Sequence, residues 1–309
     1  MTSFRLALKI DVDTYRGTLI GVPRLVEILR RHGADATFLF SLGRDHTGRA
    51  IKRAFRPGFM KKVSRTSVVS HYGLKTLMYG TVLPGPDIGR GCAAILRGVR
   101  DSGFETGIHC WDHVKWQDEV RSADNAWTEK EMELAVNRYA NIFGVSATTH
   151  GAAGWQMNRH ALRLTQRLGF KYASDCRGSH PFIPVWDAEI IACPQIPTTL
   201  PTLDELIGVD GLTEDNVHER LLALTEQAPQ HGHVFTLHAE LEGMKLAPIL
   251  EKLLLGWKQQ GYDLVSTGKI RDSLDPALLP RHEIRWGEVP GRSGELLVQG
   301  PEFLADVPA

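Results

Sequence analysis

The sequence contains little cysteine, and its cysteines are widely separated. It has 309 residues and four cysteines, with no C-x-x-C pair among them. A disulfide-rich scaffold, or a zinc site built from cysteines, needs more of them at closer spacing. We therefore expect a protein of a reducing compartment whose fold rests on a hydrophobic core.

Long apolar runs are also absent. No window of about eighteen apolar residues occurs, so we predict no membrane-spanning helix. The apolar run at the N-terminus is short and ends at Asp11 and Asp13, which is not typical of a secretory signal. With 42% hydrophobic and 23% charged residues, the composition is globular and excludes a disordered or collagen-like chain. The default prediction is a cytoplasmic protein.

One segment has no acidic residues at all, although the whole chain is balanced at 36 basic and 36 acidic residues. Positions 46–86 contain no Asp or Glu and eight basic residues. These are Arg49, Lys52, Arg53, Arg56, Lys61, Lys62, Arg65 and Lys75. Apolar and aromatic residues lie between them, a mixture typical of segments that rest on an anionic lipid surface. A solvated charged insertion is the alternative. We expect no nucleic-acid partner, because no known nucleic-acid-binding pattern matches.

The order of elements predicts an α/β fold. Strand-like apolar segments alternate with helical patterns and short connections, which favours a parallel sheet with helices outside it. About six or seven such units favour a distorted (β/α) barrel of about seven strands over an open doubly wound sheet, which usually has a Gly-rich loop after its first strand. We assign residues 1–275 to the barrel, with the basic insertion at about 46–87 after the second strand. Residues 276–309 form an irregular C-terminal tail in this interpretation.

Polar clusters follow directly on five of the predicted strands. They are Asp11/Asp13, His109/His113, His150/Gly151, Asp175/Arg177 and His238/Glu240. Each cluster alone is weak evidence, because a single histidine or a D-x-D pair is often structural. In a barrel, however, these strand ends share one rim, where catalytic loops collect. Together the clusters predict one site at that rim.

The residue types in these clusters are those of a metal-assisted hydrolase. His109 and His113 are four residues apart and can face one divalent ion, and Asp13 can complete the ligand set. Asp11 lies on the same side of an extended segment and is a candidate general base. His238 is a candidate general acid that protonates a leaving nitrogen. The set predicts hydrolysis of an amide or ester, with zinc, manganese, cobalt or nickel all acceptable as the metal.

The order of these motifs resembles the polysaccharide deacetylases of the NodB-homology type. The resemblance covers residues 4–267 and implies metal-dependent amide hydrolysis on a distorted (β/α) barrel. It implies the same roles for the base, the ligands and the acid, and supporting roles for His150, Asp175 and Arg177. A glycine stands where the family has an arginine beside the base, so Arg177 is expected to orient Asp11 instead.

A narrower resemblance, carried by residues 10–17, 107–113, 150–156 and 236–240, is to family members that deformylate a lipid-linked sugar. It implies removal of formate from 4-deoxy-4-formamido-L-arabinose on undecaprenyl phosphate, a step in lipid A modification and cationic-peptide resistance. The basic insertion fits such a substrate and predicts peripheral attachment to the cytoplasmic face of the bacterial inner membrane. The residues expected to meet the lipid phosphate or the anionic surface are Arg49, Arg56, Lys61, Lys62, Arg65 and Lys75. Two alternatives stay open: a deacetylase of another N-acyl sugar or of peptidoglycan, and an inactive barrel that binds carbohydrate or lipid.

Overall fold

The structure is a computed structural model that describes residues 4–50 and 74–304, apart from the side chain of Leu74. Arg49 and Lys75 of the predicted lipid contact are among the described residues. The other members of that set lie outside them: Arg56, Lys61, Lys62 and Arg65.

The strands and helices follow the predicted alternation closely. The strands are β1 Phe4–Val12, β2 Thr37–Ser41, β3 Glu105–Cys110, β4 Thr149–His150, β5 Tyr172–Ala173, β6 Ile183–Trp186, β7 Glu189–Ile190, β8 His233–His238, β9 Tyr262–Val265, β10 Arg281–Glu288 and β11 Glu295–Glu302. The helices are α1 Val22–Arg31, α2 Leu74–Met78, α3 Ile88–Gly91, α4 Ala93–Asp101, α5 His113–Glu119, α6 Asn125–Phe143, α7 Arg159–Arg167, α8 Leu203–Leu206, α9 Val217–Leu224, α10 Ala247–Gln259 and α11 Thr267–Asp272.

The main sheet is parallel and curls into a barrel. Its order is β5-β4-β3-β2-β1-β8, and β9 pairs with the first half of β1. The barrel closes between the edge strands β5 and β8 through an irregular segment at residues 194–200. There the N–H of Ala173 donates to Pro194, and the N–H of Thr199 donates to Val234. The barrel is distorted because it closes through a segment that is not a regular strand. The prediction of a distorted barrel of about seven strands is confirmed.

Short polar side chains begin several of the outer helices. Asp112, Asp124, Asn158 and Ser266 precede α5, α6, α7 and α11, and each accepts a hydrogen bond from a backbone N–H of the first turn. Gly144 ends α6 with a φ of 72°, a conformation that favours glycine. These capping residues fix where the helices begin and end, and they therefore define the loops that connect the strands to the helices.

The segment after residue 275 is not irregular, and that expectation was wrong. β10 and β11 form an antiparallel hairpin, and β10 also pairs with β6 in a second, four-stranded sheet. Ile284, Leu296 and Leu297 are buried by this hairpin. The proline and glycines that suggested an irregular tail form its turn, where Gly291 and Gly294 have positive φ.

The core lies between the main sheet and the helices that surround it, and it contains the four cysteines, all unpaired. Across residues 4–50 and 74–304, no helix is long and apolar enough to cross a membrane. Buried acids gather where β1 and β8 end, and this places charge at one end of the barrel. They are Asp11, Asp13, Glu240 and Glu242.

Candidate active site

The predicted clusters meet at the carboxyl end of the main sheet. Asp11 lies near the end of β1, His109 near the end of β3, and His238 is the last residue of β8. Asp11 and His238 are register partners on these adjacent parallel strands. His113 is the first residue of α5, so the loop after β3 brings it back toward His109. The two rings stack, with 5.4 Å between their centroids.

Asp13, His109 and His113 bring one donor atom each within 4.8 Å of one another. Oδ1 of Asp13 is 3.2 Å from Nε2 of His109, and Oδ2 is 3.3 Å from Nε2 of His113. Burial alone would raise the pKa of Asp13, but His113 and His109 hold it well below its usual range. Asp13 and His109 are buried and His113 is partly exposed. Two imidazoles and an ionised carboxylate that converge in this way fit a divalent ion with an open coordination side.

A hydrogen-bonded network fixes the orientation of His109. Its Nδ1–H donates to the carbonyl oxygen of Gly151 at 2.6 Å, which leaves Nε2 directed at Asp13. The residues on both sides of this glycine are held by Asp175, whose Oδ1 accepts from Nδ1 of His150 at 2.7 Å and from the N–H of Ala152 at 2.9 Å. The arrangement gives His150 and Asp175 a physical basis for the supporting role predicted for them: they hold the carbonyl that orients His109.

Lys9 is the cation that contacts the candidate base. Its Nζ donates to Oδ2 of Asp11 at 3.1 Å, and its side chain is fully buried. The other oxygen of Asp11, Oδ1, is buried without a hydrogen-bond partner among the described residues, 3.8 Å from Nδ1 of His109. Asp11 is therefore held at one oxygen and has the other available beside the proposed ligand set.

Arg177 does not orient Asp11, and this expectation is corrected. Its guanidinium donates to Glu205 at 2.6 Å and to the carbonyl of Leu200 at 2.9 Å, and it contributes to the segment that closes the barrel. The glycine at the position where the resemblance led us to expect an arginine is closely surrounded. A Cβ at Gly151 would approach Cδ1 of Leu39 and Cε of Lys9. Lys9, from inside β1, occupies the space next to the base instead.

Glu240 holds the backbone that carries Asp13. Its Oε1 accepts hydrogen bonds from the N–H of Asp13 at 3.0 Å, from the N–H of Thr14 at 2.7 Å and from the Thr14 hydroxyl at 2.8 Å. Gly17 leaves room for this carboxyl group, because any Cβ at that position would overlap it. Glu240 therefore clamps the loop after β1 to the loop after β8.

Sequence reasoning gave no role to Lys9 or to Glu240. For Lys9 a signal was present: it lies two residues before Asp11 in an apolar strand, and residues with that spacing share a face. A lysine on a buried face requires a buried anion. Glu240 was part of a predicted cluster, but a contact across 227 positions with Asp13 has no counterpart in local spacing.

No family model matches the chain. Two relatives are both named "Probable 4-deoxy-4-formamido-L-arabinose-phosphoundecaprenol deformylase ArnD". The one from Shewanella sediminis is 39% identical over 292 residues, 94% of this chain and 93% of the relative. The one from Wigglesworthia glossinidia brevipalpis is 32% identical over 286 residues, 92% of this chain and 98% of the relative.

Solved structures share the fold at low sequence identity. A protein of the polysaccharide deacetylase type from Mycobacterium smegmatis has a TM-score of 0.60 at 16% identity, and the match covers 93% of this chain and 96% of that one. The Xyl-CE4 domain of a xylanase from the hindgut metagenome of Trinervitermes trinervoides has a TM-score of 0.51 at 13% identity, with 90% and 95% covered. At these identities the likeness establishes the fold alone.

Proposed function

The chain belongs to the family of 4-deoxy-4-formamido-L-arabinose-phosphoundecaprenol deformylases, and from this membership we propose that it hydrolyses the formamide of that lipid-linked sugar. Water and the formamide give formate and a free amine, which is the amino-sugar lipid used for lipid A modification. The carbon–nitrogen bond that breaks is a linear amide. The site described above contains groups suited to each part of that reaction.

One arrangement carries the proposal: Asp11, whose buried Oδ1 has no hydrogen-bond partner among the described residues, stands beside the Asp13, His109 and His113 donor set, and His238 is its register partner on the adjacent strand. A base and an acid at the same rim as a metal-binding set suit the hydrolysis of an unactivated amide. Neither a structural site nor a carbohydrate-binding surface needs a buried carboxylate with an unused oxygen.

Each residue has one part in the proposed mechanism. A divalent ion held by Asp13, His109 and His113 would supply Lewis acidity to the formamide carbonyl and to the attacking water. Asp11 accepts the proton of that water at Oδ1, while Lys9 holds the other oxygen of Asp11. His238 donates a proton to the sugar nitrogen as the carbon–nitrogen bond breaks.

The proposed substrate reaches this rim from the membrane surface. Leu19 and Ile20, which follow β1, are each 47% exposed, and Val82, which lies in the insertion after β2, is 76% exposed. Lys75 of the same insertion is also exposed. Apolar and basic side chains beside the strand ends support contact with an anionic bilayer, and we propose the cytoplasmic face of the inner membrane as its location.

A direct assay tests the reaction. The purified, metal-loaded protein is given detergent-solubilised undecaprenyl-phosphate-linked formamido-arabinose, and released formate is measured against the acetamido analogue. We expect formate release to be strongly preferred, and Asp11→Asn and His238→Ala each to lower turnover by about a hundredfold or more. Acetate release at an equal rate would establish a general deacetylase instead. Binding of both lipids with no acid released would establish an inactive binding barrel.

A further inference from the structure

A cluster of three histidines lies at the end of the barrel away from the catalytic rim, and the mechanism above uses none of them. His180 is in the segment between β5 and β6, His231 lies two residues before β8, and His282 is on β10. The ring centroid of His180 is 4.9 Å from that of His282 and 6.2 Å from that of His231. β8 begins beside this cluster and ends at His238, so the length of that strand, about 17 Å, separates the cluster from the rim.

The closest contact in the cluster joins two ring nitrogens. Nε2 of His180 and Nε2 of His282 are 3.1 Å apart, and the two rings are inclined at 73°. His282 is only 9% exposed, and His180 is partly exposed. A neutral imidazole has one N–H donor and one acceptor nitrogen, so the nature of this contact depends on which nitrogen of each ring carries the proton.

The surrounding hydrogen bonds assign both protons. Nδ1 of His282 lies 2.9 Å from the carbonyl oxygen of Gly300, which can only accept, so the proton of His282 is on Nδ1. Oε1 of Gln299 accepts from the backbone N–H of Ser179 at 2.8 Å, which leaves Nε2 of Gln299 as the donor to Nε2 of His180 at 3.1 Å. Nδ1 of His180 then donates to the hydroxyl of Ser179 at 2.8 Å. Both Nε2 atoms therefore carry lone pairs, and two acceptors meet.

Two acceptors at this distance repel each other unless a cation lies between them. A zinc-class ion suits the spacing, because two imidazole nitrogens at about 2.0–2.1 Å from a tetrahedral ion are about 3.3 Å apart. Such an ion uses four donors, whereas a shared proton uses two, and further donors are at hand. The ring of His231 contacts that of His180, and Glu302 is the register partner of His282 on β11, so its carboxylate is on the same face.

We propose that His180 and His282 bind one divalent ion of the zinc class, and that this ion clamps the C-terminal hairpin to the barrel. His231, Glu302 and water are available to complete the ligand set. The ion takes the lone pair of His180 to which Gln299 donates, and the amide of Gln299, which is partly exposed, can turn to water. Imidazole nitrogen suits zinc, copper and nickel, whereas magnesium and calcium prefer oxygen ligands. The clamp is structural and has no part in hydrolysis.

Zinc binding tests the clamp in a background of His109→Ala and His113→Ala, in which the predicted catalytic ligand set is lost. We expect calorimetric titration to show one equivalent of zinc bound in the micromolar range, and zinc to slow amide hydrogen exchange in β10 and β11. Adding His180→Ala should weaken binding by more than the roughly 10- to 100-fold caused by loss of an orienting partner, since it removes a ligand itself. His218→Ala, which removes a partly exposed histidine on α9, is the matched control and should bind zinc as the background does.

His282→Gln is a second variant of the same site, and its amide can still donate to Gly300. It should weaken zinc binding as His180→Ala does, with near-UV circular dichroism showing that each variant keeps its tertiary packing. Absence of zinc binding in the background would overturn the clamp and would mean that the two nitrogens share only a proton. Equal binding by the background and the His180→Ala variant would also overturn it. These measurements count bound metal at a site remote from the rim, so their outcome is independent of the proposed function.

Discussion

Nζ of Lys9 lies 3.1 Å from Oδ2 of Asp11, and both side chains are buried on one face of β1. Taking two charges out of water is costly, and the cost is recovered only when the charges are paired and hydrogen-bonded. Lys9 also lies 5.2 Å from the centroid of the Trp155 ring, which packs along the cation. The hydrogen bond from Lys9 therefore offsets the burial of both charges and holds Asp11 in place beside the proposed ligand set.

Lys9→Met is the first prediction. Methionine keeps the length of the side chain and removes its charge, so Asp11 loses the hydrogen bond that holds its Oδ2. We expect kcat for formate release to fall by about tenfold or more, because the base is then no longer held beside the proposed ligand set.

Lys115→Met is the matched control for that variant. Lys115 lies in α5, pairs with the buried Glu131 and lies over the Trp127 ring. Like Lys9→Met, this substitution removes a lysine from an ion pair and from an aromatic contact, but Lys115 has no part in the proposed chemistry. Lys115→Met should leave kcat close to the parental value. A parental kcat in Lys9→Met would show that Lys9 is a structural residue alone.

The fold and the ligand set were predictable from the sequence, because both rest on local patterns. The alternation of apolar strands and helices gave the barrel, and clusters at strand ends gave Asp11, Asp13, His109, His113 and His238, which the structure brings to one rim. The roles of these residues in catalysis stay predictions.

The partners of those residues were not predictable in the same way. The spacing of Lys9 and Asp11 was a local signal for their contact, but the Glu240 contact joins loops 227 positions apart and left no such signal. Arg177 was assigned to Asp11 by analogy, and its pairing with Glu205 depends on the path of the closing segment, which has no repeating pattern. Contacts of this kind depend on tertiary packing.

His109→Ala and His113→Ala test the ligand set. Each removes one of three donors, so the bound divalent metal should fall well below one equivalent after dialysis, measured by elemental analysis. His218→Ala is the control, because it removes a partly exposed histidine on α9, and it should keep the parental metal content. A full equivalent of metal in both site variants would rule out this set.

Glu240 provides a test of the clamp on Asp13. Glu240→Ala removes the acceptor of three hydrogen bonds at the loop that carries the ligand, and we expect the metal dissociation constant to rise by about 10- to 100-fold, as for other residues that orient ligands. Glu240→Gln should remain close to the parent, because its amide oxygen accepts the same hydrogen bonds. Equal affinity in the alanine variant and the parent, measured by competition with a chelator, would contradict the clamp.

The membrane prediction separates attachment from chemistry. Neutralising Lys61, Lys62 and Arg65 to glutamine should weaken binding to anionic vesicles, because each basic residue near such a surface contributes about 1 kcal/mol. Replacing the exposed Leu19 and Ile20 by serine should weaken the part of the binding that resists high salt, since apolar burial does not depend on ionic strength.

The control for charge lies at the opposite end of the barrel. Arg5 is near the start of β1, Lys171 directly precedes β5 and Lys258 is near the end of α10, and all three are exposed. Neutralising them together removes the same charge as the insertion variant, so total charge is matched and only its location differs. Vesicle binding should fall in the insertion variant and persist in this one, while both hydrolyse a short water-soluble formamido sugar at the parental rate. Equal binding by the two variants would mean that the acid-free segment is a solvated insertion, because a membrane-facing surface must be sensitive to where its positive charge is removed.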